Sequence, residues 1–187
     1  MNIAIEEKRI MLQIARDSLA FIYDNNFSSK IDYSKYPILE TEKGAFVTLT
    51  KNHNLRGCIG YIISDMPLHK TIDDAARQAA IGDPRFPKLT KEEFTKIEIE
   101  ISILSEPFPM ESYKDIIVGT HGLILTEQGM RGLLLPQVPI EHNMNKEEYL
   151  SALCEKSGFH SNFWKERILN IELFTANVFS EKDLING

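Results

Sequence analysis

At 187 residues, with 43% hydrophobic and 26% charged side chains and ten Phe, the chain can bury a sizeable core, and global disorder is excluded. That length suits one substantial domain or two small lobes, and one folding unit is the expectation. A formal charge of -6 and the lack of any Lys/Arg-rich run exclude a broad attraction to polyphosphate, so nucleic acid is not the default partner.

The N-terminus begins Met1-Asn2-Ile3 and soon reaches Glu6, Glu7, Lys8 and Arg9, which interrupt the apolar core a signal peptide needs. No run of about 20 apolar residues occurs. A cytoplasmic location is expected, with Cys58 and Cys154 as reduced thiols, because two cysteines allow at most one disulfide and lack zinc-site spacing.

In chain order, apolar residues at Ile10, Met11, Ile14, Ala15, Leu19, Phe21 and Ile22 predict an amphipathic helix over about residues 4–25. Ala45 to Thr50 reads as a strand and Lys51-Asn52-His53-Asn54 as its turn, with a return strand over residues 56–63. Asp65 and Pro67 signal a helix start. Leu68, Ile72, Ala75, Ala76, Ala79 and Ala80 then share one face, and Gly82 stops the helix. The small alanines should let this helix sit close to a sheet.

Ile97-Glu98-Ile99-Glu100-Ile101-Ser102-Ile103 alternates strictly, predicting four buried isoleucines with Glu98, Glu100 and Ser102 opposite, and Pro107 and Pro109 follow its end. A second hairpin runs from Gly122 to Thr126, turns near Gln128-Gly129 and returns over Gly132 to Leu135, with Pro136 and Pro139 at its exit. Asn145 with Glu148 forms a capping-box signature. The helix after it carries Leu150, Leu153 and Cys154 on its apolar side and stops at Gly158. A last strand is predicted over residues 171–179. Antiparallel hairpins separated by helices, without regular strand-helix alternation, predict an α+β fold. No phosphate-binding glycine loop is present.

The chemistry-bearing segment is Leu55-Arg56-Gly57-Cys58-Ile59-Gly60. In a regular strand Arg56, Cys58 and Gly60 share one face and Leu55, Gly57, Ile59 and Tyr61 the other, and a bulge would shift this parity. A guanidinium beside a thiol favours the thiolate, and Gly60 leaves room for a ligand. The alternative keeps Cys58 as a small buried hydrophobe, Gly57 and Gly60 as close-packing positions, and Arg56 on a carboxylate. In Gly82-Asp83-Pro84-Arg85-Phe86-Pro87 each proline restricts the residue before it, so the loop either aims Asp83 and Arg85 at a ligand or is tied by their ion pair. His121, at the entrance to a strand, has the chemistry of a general base, although a lone loop histidine is more often structural. Cys154 is expected in the core. Glu98, Glu100, Asp115, Glu141 and His142 show no metal spacing, so no obligatory metal is expected, and no cofactor is indicated.

Taken together, Gly44-Ala45-Phe46-Val47-Thr48-Leu49, the Leu55–Gly60 hexapeptide, Asp83-Pro84-Arg85-Phe86, His121-Gly122-Leu123 and Gly132-Leu133-Leu134-Leu135-Pro136-Gln137-Val138 resemble the AMMECR-type domain family, also called AmmeMemoRadiSam system protein A. The likeness continues through Leu150-Ser151-Ala152-Leu153-Cys154 to Trp164 and Phe179, and so covers nearly the whole chain. It implies an α+β fold in two lobes around a cleft, the larger drawing on both chain ends, with the hexapeptide near the cleft. It also implies association with Memo-like proteins and radical S-adenosylmethionine enzymes, without supplying a reaction. Met144 stands where relatives often carry tryptophan.

Two functions from different classes follow. One is a cysteine-dependent enzyme acting on a small metabolite or modified macromolecule, with Cys58 as nucleophile, His121 as base, Arg56 as anion anchor, and Gly57, Gly60, Asp83, Arg85 and Phe86 as binding residues. The other is a noncatalytic adaptor for a protein partner. A low-pKa thiol favours the first and a normal thiol the second.

Overall fold

The computed structural model describes residues 3–24 and 27–185, with the side chain of residue 185 left aside. Met1, Asn2 and Asn25, which entered the N-terminal reading and the first helix, lie outside the described residues. Two compact units divide the chain: Met1–Leu104 with Asn177–Gly187, and Ser105–Ala176. Each has its own four-stranded sheet and its own hydrophobic core.

The first unit opens with α1, Ile5–Tyr23. Glu6 and Glu7 lie in its first turn, where the helix dipole favours negative charge, and Glu7 Oε2 accepts the Ala4 N–H at 2.9 Å. Met11, Leu12, Ile14, Ala15 and Leu19 are buried. Phe21 departs from the expected stripe: in the last turn, 43% exposed, it borders a cavity of about 140 Å³ with Phe27 and Tyr33.

β1 spans Ala45–Lys51 and β2 spans Asn54–Tyr61. Asn52 and His53, at φ 50° and 63°, make the left-handed two-residue turn that matches strand twist, which fixes the register Lys51↔Asn54 and Thr50↔Leu55. The register then shifts between Leu49 and Thr50, leaving Arg56 as the extra residue on β2. α2, Leu68–Ile81, packs on β1 and β2 through Leu68, Ile72, Ala75, Ala76, Ala79 and Ala80. It comes so close that a Cβ on Gly57 would stand 2.0 Å from the Ala79 carbonyl oxygen.

After the short α3, Lys91–Phe94, β3 runs Ile97–Leu104 and pairs antiparallel with β1. Its four isoleucines enter the core as expected, but Ser102 on the opposite face is also buried, at 2% exposure. That face is therefore not a simple solvent face.

In the second unit β4, Phe108–Pro109, precedes the hairpin β5, Gly122–Glu127, and β6, Met130–Leu134, whose turn places Gln128 and Gly129 at φ 51° and 78°. α4, Val138–Glu141, leads to α5, Lys146–Lys156, where Asn145 Oδ1 accepts the Glu147 and Glu148 N–H groups at 2.9 and 3.1 Å. Glu148 answers by accepting the Asn145 N–H at 2.8 Å, completing the expected capping box.

The expected last strand is two strands. β7, Ile171–Phe174, belongs to the sheet β4-β7-β5-β6, and β8, Ala176–Ser180, to the sheet β2-β1-β3-β8. The break falls at Thr175, whose N–H and C=O both bond to Ser105 at 2.9 Å. α6, Glu181–Ile185, follows, and Glu181 anchors it by accepting from Arg16 and from the Ile99 N–H. Among the described residues no helix is long and apolar enough to cross a membrane.

Candidate functional site

β2 is an edge strand, so main-chain groups on its outer side lack a neighbouring strand. At Cys58 the loop after α2 supplies the missing partners. Asp83 Oδ2 accepts the Cys58 N–H at 2.9 Å, and Arg85 Nη2 donates to the Cys58 carbonyl at 3.2 Å. A carboxylate and a guanidinium thus do what the next strand would have done.

The loop can hold these groups because they hold each other. Asp83, only 5% exposed, takes four hydrogen bonds: the Cys58 N–H, the Arg85 N–H at 3.1 Å, Arg85 Nε at 2.9 Å and Arg85 Nη2 at 2.7 Å. A buried carboxylate needs this full complement. The Arg85 hydrogen bonds, first among the causes, hold Asp83 well below the ordinary carboxylate range. The Arg85 guanidinium also lies 5.5 Å from the centre of the Phe86 ring, and its side chain is 55% exposed.

Cys58 itself is half-buried. Its cross-strand neighbour Thr48 donates Oγ1–H to Sγ at 3.3 Å, and Glu100 follows in the same row on β3. Burial pushes the thiol up from its ordinary value. The Thr48 hydrogen bond and the Arg85 charge pull the other way, while Asp83 and Glu100 add to the rise. Burial thus outweighs the expected thiolate-favouring effect, and the thiol is raised rather than lowered.

Arg56 is engaged elsewhere. Nε and Nη2 donate to Glu93 Oε1 and Oε2 at 3.2 and 2.8 Å, Nη2 also reaches the Lys88 carbonyl at 3.3 Å, and the side chain is 11% exposed. Lys51 completes the cluster on Glu93 at 2.8 Å. Arg56 is the bulged residue, without a β1 partner in the register, whereas Cys58 is paired with Thr48. Gly60 does not leave open space either, because a Cβ there would meet Cγ of Phe46 at 2.5 Å. Both glycines serve close packing, Gly57 against α2 and Gly60 under Phe46.

His121 lies in the second unit before β5, 5.7 Å from the Phe108 ring centre and edge-on to it. Its Nδ1 is 3.1 Å from the Asp115 carbonyl and 3.3 Å from the Ile117 N–H, so that nitrogen serves its own loop. Cys154 is fully buried and its thiol is raised by burial, as its helix position required. Cavities of about 490 and 540 Å³ lie along α1 and are lined by neither the hexapeptide nor residues 83–86.

The AMMECR1 family profile matches residues 12–179. The chain belongs to the AMMECR1 family. Among its AMMECR1-type relatives, a Methanocaldococcus jannaschii protein is 39% identical across 96% of this chain and 92% of its own. A Methanocella arvoryzae protein is 41% identical across 81% of this chain and 82% of its own. An uncharacterised protein from Pyrococcus horikoshii of known crystal structure is similar at a TM-score of 0.83 and 32% identity, covering 92% of this chain and 90% of that one. The α+β fold is thus shared with that Pyrococcus horikoshii protein. Met144 of this AMMECR1 chain is half-buried and donates its N–H to the Pro139 carbonyl at 2.7 Å.

Two participants escaped the sequence reading. Glu93 was signalled by the Thr90-x-x-Glu93 capping box, which the structure forms. Thr48 becomes visible only once the Thr48↔Cys58 register is known.

Proposed function

We propose that this AMMECR1 chain is a noncatalytic binding module whose recognition surface is centred on Cys58, Arg85 and Phe86. Memo-like and radical S-adenosylmethionine proteins are the first partners to try. The observation that carries this reading is the outward pair of Arg85 and Phe86, with the guanidinium 5.5 Å from the ring centre, beside a Cys58 thiol that burial raises. A nucleophilic cysteine works as thiolate, and its surroundings ordinarily lower its pKa. Arg56, the expected anion anchor, is already spent on Glu93. What remains outward is a half-exposed guanidinium against an aromatic ring, a pairing enriched at protein interfaces.

The test is titration of the purified chain with purified Memo-like and radical S-adenosylmethionine proteins of the same source, followed by sedimentation or anisotropy. A complex is expected that Phe86→Ala weakens at least about tenfold, a loss of about 1.4 kcal/mol. Absence of any complex with either protein removes this reading.

The second reading is a cysteine-dependent enzyme acting on a small metabolite or modified macromolecule, with Cys58 as nucleophile and His121 as base. It is favoured by the Thr48 hydroxyl and the Arg85 charge, both of which act to lower the thiol pKa. Turnover lost in a folded Cys58→Ser variant would select it.

A further inference from the structure

Side-chain clamps on a strand's main chain do more than close an edge, because they also fix where the neighbouring side chain sits. Cys58 is held on both of its outward main-chain groups by two residues of one short loop, Asp83 at 2.9 Å and Arg85 at 3.2 Å. Pro84 and Pro87 stiffen that loop, and the Phe86 N–H closes it onto the Asp83 carbonyl at 3.2 Å. The charged groups facing the thiol are Arg85 and Asp83 from this loop and Glu100 from β3, with Thr48 as the neutral donor. Arg56, two residues away along the same strand, is bound to Glu93.

We propose that Asp83 and Arg85 are the positioning residues of Cys58, a latch that fixes its main chain and sets the reactivity of its thiol, while Arg56 takes no part in that control. The inference rests on the preceding reading only in taking the Cys58 surface as the site. Asp83 orients Arg85 through two side-chain hydrogen bonds, and Arg85 brings a positive charge that acts to lower the thiol pKa. Loss of the Arg85 charge leaves the burial effect and two carboxylates unopposed, so the thiolate becomes rarer.

The experiment uses the full chain and no partner, so its outcome is independent of whether a complex forms. Iodoacetamide alkylation of Cys58 is followed against pH and resolved from Cys154 by peptide mass spectrometry. Arg85→Gln is expected to slow Cys58 alkylation about three- to tenfold at fixed pH below the titration midpoint, because losing the charge pushes the thiol further up. Arg85→Lys keeps the charge and should recover most of the rate, and Arg56→Gln should stay within about twofold of the parent. Equal slowing by Arg56→Gln and Arg85→Gln, or no slowing by Arg85→Gln, overturns the proposal.

Amide exchange of the unmodified protein supplies a readout that needs no variant. The Cys58 N–H, though on the open side of an edge strand, should exchange slowly because Asp83 covers it. Fast exchange there overturns the latch.

Discussion

Glu93 takes Lys51 and Arg56 Nε on one carboxylate oxygen and Arg56 Nη2 and the Thr90 N–H on the other. Arg56 comes first and Lys51 second among the causes that hold its carboxyl down from 4.5 to about 2. A folded-state pKa below the unfolded one means that this contribution is complete above 4.5 and is lost as pH falls toward 2. Urea midpoints should drop across that window, and Glu93→Gln should be less stable at neutral pH by about 2 kcal/mol while showing a shallower acid loss. An equally steep acid loss in the variant would remove Glu93 from the account. Gly57 acts through shape alone. Gly57→Ala puts a methyl 2.0 Å from the Ala79 carbonyl, and because that atom is main chain, α2 must move. A destabilisation of about 1–3 kcal/mol is expected in chemical denaturation.

Among the elements, α5 shows how a local signal becomes structure. Asn145 satisfies two otherwise unpaired N–H groups, and Glu148 returns a bond to the Asn145 N–H. Asn145→Ala should cost about 1 kcal/mol by urea denaturation, and Asn145→Ser should recover most of it. The β1–β2 hairpin shows the reverse dependence. Its turn and alternation are local, yet one extra residue at Arg56 sends that guanidinium to Glu93, and the loop 82–86 then claims the main chain at Cys58. The same loop occupies the outer edge of β2 there. A partner strand therefore cannot pair at Cys58 without displacing Arg85 and Asp83.

In the whole molecule, the first unit is completed by the far end of the chain. Phe179, 2% exposed, packs in the core with α1 and β3 residues, and Glu181 ties α6 to Arg16 and the Ile99 amide. Phe179→Ala should cost about 3–5 kcal/mol, seen as faster amide exchange in α1 and β3. Unchanged exchange in both elements would show that the C-terminal segment does not stabilise this core.

Periodicity and capping determined much of this in advance. The alternation of residues 97–103, the alanine face of α2 and the Asn145 box act over a few neighbouring residues, so they are readable without knowing what lies across the core. The α+β class and the segments of interest around Cys58 and Asp83 were legible for the same reason. Tertiary structure alone decided the rest. It broke the last strand at Thr175 between two sheets, bulged β2 at Arg56, filled the space over Gly60 with Phe46, and turned the Cys58 thiol upward by burial. Each depends on residues distant in the chain: partner strands set register, packing depth sets desolvation, and the nearest carboxylate decides which arginine remains free to act on the thiol.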